Sequence, residues 1–160
     1  LNHTFHGGVI ENIKINGENM GEFAINAGIA GYFGVPVVLV TGCQYTANEA
    51  LDLIPGIETA VVKQTINRHS ACHLSPKKSR SLIKSKTISS LSSFQSIQPV
   101  SMQGPFKVEV TYLHSGLADA AEILPVVERI STKTHQFEMD NFITVFRYIR
   151  SLIAIAGSLQ

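Results

Sequence analysis

Two histidines and one carboxylate near the start of the chain are the residues best suited to do chemistry. The sequence opens LNHTFHGG, which places His3 and His6 in a Gly-flanked polar loop just before a β-branched segment. Glu22 follows, nineteen residues after His3, in the first turn of a helical pattern. A strand and a hairpin turn between them would fold the chain back, so that imidazole and carboxylate can meet. Such a pair is raw material for a metal site or for acid–base work. Spacing alone leaves the blander alternative open, because a Glu at a helix start also serves the helix dipole and an isolated His is commonly structural.

Other polar clusters are weaker. His69-Ser70-Ala71-Cys72-His73 contains the residue types that zinc prefers. However, adjacent side chains point apart in most backbones, and no second Cys/His pair stands at finger-like spacing, so the stretch reads as a loop. Lys77, Lys78, Arg80, Lys84 and Lys86 give one helix a basic side interleaved with serines. Without aromatic or base-reading partners this reads as a solvated face. No phosphate-binding glycine loop and no serine-hydrolase elbow occurs.

The elements that must position His3 and Glu22 follow from local patterns. Val9 to Ile15 reads as a strand that enters a tight turn at Asn16-Gly17. Gly21 to Tyr32 is a helix with a face of small residues, which demands close packing. GVPVVLVTG (34–42) reads as a strand buried on both sides, and Thr46 to Leu53 as a helix capped by Thr46 with Glu49 completing a capping box. ETAVVKQTI gives the next strand, and Ser75-Pro76 starts a long helix running toward Phe94, with Ile83, Leu91 and Phe94 on its buried side. FKVEVTYLH alternates as a strand, a helix runs from Ser115 to Leu124, and VVERIS and HQFEM form short strands. Asp140 caps a final helix whose Phe142, Val145, Phe146, Ile149, Leu152, Ile153 and Ala156 make one apolar stripe. The expected fold class is α/β, a mixed sheet flanked by helices, in a single domain over 1–160.

Composition narrows the function. With 44% hydrophobic residues, 16% charged and a net charge of +1, the chain is an ordinary globular protein with no bias toward nucleic acid or an acidic membrane. Two cysteines, no signal segment and no apolar run of spanning length lead to the expectation of a cytoplasmic protein.

The stretch HTFHGGVIENIKINGENMGEFAINAGIAGYFGVPVVLVTG, followed by ALDLIPGIETAVVKQTINRHSACHLSPKKSRSLI, resembles the DppA-type zinc D-aminopeptidase family. H-T-F, the I-N-G-E hairpin, M-G-E-F-A-I-N-A, G-V-P-V-V-L-V-T-G, L-I-P-G, A-V-V-K-Q-T and the L-S-P helix start recur in order. The resemblance implies a metallopeptidase that releases N-terminal D-amino acids from short peptides such as D-Ala-D-Ala. It further implies a two-zinc centre and a ring-like homo-oligomer with enclosed sites. By the same resemblance His3 matches the catalytic histidine, as nucleophile or general base. Glu22 matches a carboxylate ligand of the zinc centre, and Asn26 a family asparagine one turn beyond it.

Two departures qualify this. The family's other ligands come from an Asp-x-Glu on its first strand and two further histidines, and the chain contains no Asp-x-Glu. The chain is therefore expected to be the C-terminal portion of such a fold, without its N-terminal strands, and inactive alone. The alternative is a non-catalytic remnant or oligomerisation module. The second departure is Gly42-Cys43, where the family commonly has Gly-Asp.

Overall fold

Asn16 and Gly17 adopt φ of +53° and +87°, the left-handed pair of a two-residue hairpin turn, as the Asn-Gly dipeptide predicts. In this computed structural model, which describes residues 5–158, the turn joins β1 (Ile10–Ile15) to β2 (Glu18–Asn19). The Asn16 side chain also accepts from the Lys107 N–H at 2.8 Å, tying the turn to β6 (Phe106–Tyr112). The chain is α/β with two sheets, each in its own unit: one unit spans Asn26–Ser101, and the other holds the described residues up to Ile25 and from Met102 onward.

The second of these units carries a five-stranded antiparallel sheet, ordered β2-β1-β6-β8-β7, with β7 at Glu128–Ser131 and β8 at Thr134–Met139. In β6 the alternation is strict, with Phe106, Val108, Val110 and Tyr112 all buried. Against β6 and β8 lies the long C-terminal helix Phe142–Gly157, whose buried stripe is the predicted one except that Phe146 is only half-buried. Phe106 meets Phe142 edge-on at 5.3 Å. The helix cap is Asn141, not Asp140: its Oδ1 accepts from the N–H groups of Ile143 and Thr144 at 3.0 and 3.1 Å. The short helix Ser115–Ala121 packs on the same long helix.

The other unit holds β3 (Leu39–Cys43) parallel to β4 (Glu58–Asn67), with β5 (Ser70–His73) antiparallel to β4. Helix α1 (Glu22–Tyr32) precedes β3, α2 (Gln44–Leu53) connects β3 to β4, and α3 (Pro76–Ser93) packs on β4. With the two helices after it, Ser115–Ala121 (α4) and Phe142–Gly157 (α5), the described chain has five α-helices.

Several expectations change here. Gly34 to Val38 stays outside the strand, and β3 is half-exposed because among the described residues it pairs with β4 alone. The stretch read as a loop at 69–73 is a strand, since Asn67 Oδ1 accepts from His69 and Ser70 N–H (2.9 and 3.0 Å) and closes a hairpin that hydrophobic alternation does not reveal. α2 begins two residues before Thr46, with Cys43 in the capping position. On α3 Leu91 and Phe94 face solvent, whereas Ser90 is buried; the Ser75 cap itself forms as predicted, accepting from Lys78 N–H at 3.4 Å. Lys86 leaves the basic face to pair with Glu58 at 2.8 Å. No described helix is long and apolar enough to cross a membrane.

One buried titratable group bears on stability. His135 is fully buried, its Nδ1 lies 3.3 Å from the Tyr112 hydroxyl, and its Nε2 has no partner among the described residues. Burial holds its pKa below the usual value, with the nearby Arg129 acting in the same sense against Glu122 and Asp119. Below about pH 6.5 the unfolded chain therefore binds a proton that the folded chain resists, and stability falls as pH drops through that value. Denaturant midpoints at pH 5 and pH 8 should show this loss, and His135→Gln should flatten it. An unchanged pH dependence in that variant would sink the assignment.

Candidate functional site

Glu22 sits where the sequence places it, in the first turn of α1, half-buried. Its carboxylate does more than complement the helix dipole. The Phe5 N–H donates to Glu22 Oε2 at 3.2 Å, so the N-terminal segment is drawn onto the carboxylate. His3 itself lies outside the described residues. What the structure adds is that the chain two residues after it is anchored on Glu22.

Three further contacts hold that segment. The His6 carbonyl accepts from Val9 N–H at 3.0 Å and Ile10 N–H at 2.9 Å, feeding the chain directly into β1. The Phe5 ring packs against Phe146 of α5 at 6.0 Å. Phe5 also adopts φ of +57°, a region costly for a residue with a bulky side chain, so the surrounding bonds must enforce it. Sequence reasoning finds Glu22 through the chain reversal but has no means of finding Phe5 as its partner, because a main-chain donor leaves no residue-type signature. Asn26, one turn beyond Glu22, is exposed.

Within the His69–His73 cluster, Ser70–His73 form a largely exposed strand and His69 stands in the turn before it. Cys72 and His73 are consecutive there, so they face opposite sides. Among the described residues no group of three or more His, Cys, Asp and Glu side chains is gathered for a metal ion.

Cys43 gains a physical role from its position ahead of α2. Burial opposes its ionisation, but hydrogen bonding at the helix start, chiefly from the Thr46 N–H and hydroxyl and the Tyr45 N–H, outweighs it and brings the thiol from 9.0 to about 7. Its Sγ lies 3.6 Å from Thr46 Oγ1. A helix start favours negative charge, the same sense in which these contacts lower the thiol. Gln44 closes the same corner, bonding both the N–H and the carbonyl of Thr65 at 2.9 and 3.1 Å.

Comparison with known proteins is consistent in direction. The pattern of the D-aminopeptidase family matches residues 1–151. The D-aminopeptidase of Bacillus subtilis (strain 168) is 32% identical over 157 residues, covering 98% of this chain and 57% of the relative. Among solved structures, the Zn-dependent D-aminopeptidase DppA from Bacillus subtilis, a self-compartmentalizing protease, matches with a TM-score of 0.90 at 31% identity. That match covers 97% of this chain and 57% of the other. The chain thus spans less than two thirds of the length of these relatives.

Proposed function

Since the chain belongs to the D-aminopeptidase family, we propose that it carries the His3–Glu22 part of a zinc-dependent site that releases N-terminal D-amino acids from short peptides such as D-Ala-D-Ala. The bond from Phe5 N–H to Glu22 Oε2 is the observation that supports this most directly. It ties the backbone next to His3 to the carboxylate that the family resemblance assigns to the metal. In this reading Glu22 would be a zinc ligand, and the His3 imidazole acts either as nucleophile on the scissile carbonyl or as general base that takes a proton from the water attacking it.

A catalytic zinc takes three protein ligands, and the described residues converge no such set. Glu22 is one donor, so these residues do not make a zinc centre by themselves. The isolated chain is accordingly expected to hold well under one zinc per molecule and to release no D-Ala. The complete gene product is expected to bind zinc and cleave D-Ala-D-Ala. Stoichiometric zinc in the isolated chain would overturn the first expectation, and a zinc-loaded complete product that leaves D-Ala-D-Ala intact would overturn the function.

A homo-oligomer belongs to the same proposal, together with a cytoplasmic location. It is supported by the self-compartmentalizing relative and by exposed apolar side chains. Tyr32, Phe33 and Val35 are more than half exposed, as are Ile88 and Leu91 on α3. Exposed apolar side chains of this kind are available for burial against a partner surface. Sedimentation should show species larger than one chain; a single monodisperse monomer at micromolar concentration would count against it.

A further inference from the structure

The segment that anchors Glu22 also forms one wall of a cleft of about 340 Å³. Phe5 and His6 line it, with Arg150, Ile153 and Ala154 from the C-terminal half of α5. All of these residues belong to one unit of the fold. The volume is at the small end for ligand pockets, suited to one or two amino-acid residues.

Two residues with N–H donors, Arg150 and His6, line the cleft together with apolar residues and Ser158. Arg150 is exposed, and the ion pairs among the described residues engage Lys86, Arg129 and Lys133 but not Arg150. His6 Nδ1 accepts from Gly8 N–H at 3.3 Å, which assigns the proton of the neutral ring to Nε2 and makes that atom a donor. The Phe5 ring, fixed against Phe146, and the side chains of Ile153 and Ala154 supply the apolar part. A guanidinium fork beside a second N–H donor is the arrangement that selects a planar carboxylate.

We propose that this cleft is a carboxylate subsite in which Arg150, assisted by His6 Nε2–H, holds the free C-terminal carboxylate of a short peptide, while Ile153 and Ala154 contact its small C-terminal side chain. The proposal rests on the D-aminopeptidase reading for its ligand and deepens it. It names Arg150 as the residue that restricts the substrate to short peptides with an unblocked carboxyl end. Phe5 makes the connection, since its backbone binds Glu22 while the same residue lines the cleft.

The test titrates the chain with three probes: D-Ala-D-Ala, its C-terminal amide, and N-acetyl-D-alanine, followed by NMR shifts. D-Ala-D-Ala should bind about tenfold more tightly than the amide, the scale of one charge-assisted pair. Arg150→Gln should erase that difference and Arg150→Lys should restore part of it, with circular dichroism confirming that each variant folds. Equal affinity for acid and amide, a preference that survives in Arg150→Gln, or no binding of any carboxylate would each overturn the subsite. N-acetyl-D-alanine keeps the carboxylate but has no free amine for an aminopeptidase to recognise. Its Arg150-dependent binding would uphold the subsite even if the complete gene product proved unable to cleave D-peptides. Cleavage without any Arg150 dependence would uphold the function and remove the subsite.

Discussion

A Glu22→Gln substitution is expected to lower D-Ala release by the complete gene product roughly 10²–10⁴-fold while leaving the fold in place. Glutamine keeps an oxygen that can accept from the Phe5 N–H, so the anchor described above survives. What disappears is the negative charge, and with it a donor fit for zinc. Glu22→Ala removes both. It should lose as much activity and, in addition, speed hydrogen exchange at the Phe5 amide. The two variants together separate chemistry from positioning. If the Gln variant retained a rate within about tenfold of the unsubstituted enzyme, Glu22 would have no part in the reaction.

The second large effect is structural. Gly31→Ala is expected to destabilise the three-stranded unit by about 3 kcal/mol or more, because overpacking against main chain has no flexible side chain to yield. A Cβ at Gly31 would lie 1.8 Å from the Val100 carbonyl oxygen, with the Val100 carbon and nitrogen at 2.8 and 2.9 Å. Either α1 or the segment at Val100 must move. Urea unfolding of the variant measures this directly; a loss below about 1 kcal/mol would show that the segment gives way easily. Ser in place of Ala should be no better, since the clash begins at Cβ.

This contact also shows what can be read from the chain before its structure is known. The small-residue face of α1 demands a close neighbour, and that demand is local and legible. The neighbour itself, the backbone at Val100, stands about seventy residues away and carries no marker. The same division holds elsewhere. The Asn16-Gly17 turn, the alternation of β6, the Ser75-Pro76 start of α3 and the stripe of α5 all depend on residues within a turn or two of one another. By contrast, β5 is a strand because Asn67 closes its hairpin and β4 is there to pair with it, while its own sequence is polar. Leu91 and Phe94 follow a helical spacing that fits burial, yet the packed side of α3 is set by β4 and falls on Ser90 instead. In the candidate site, Glu22 can be located from the motif string around it. The Phe5 donor and the presence of His6 and Arg150 in the lining of one cleft depend on where distant parts of the chain meet.

The antiparallel pairing of β1 with β6 has a consequence for biosynthesis. Ile15 lies opposite Val108, so the β1–β2 hairpin leaves the ribosome long before its central neighbour exists. At about 5–20 residues per second, the intervening stretch of roughly 90 residues takes on the order of 5–20 s to appear. Throughout that interval Ile13 and Ile15, buried in the finished protein, lack the neighbour that β6 supplies. A two-stranded hairpin is at best marginally stable in water, so the nascent chain must keep this segment from other partners until β6 arrives. The whole unit of Asn26–Ser101 lies within that interval, emerging between the two ends of the other unit and ending just before β6 begins.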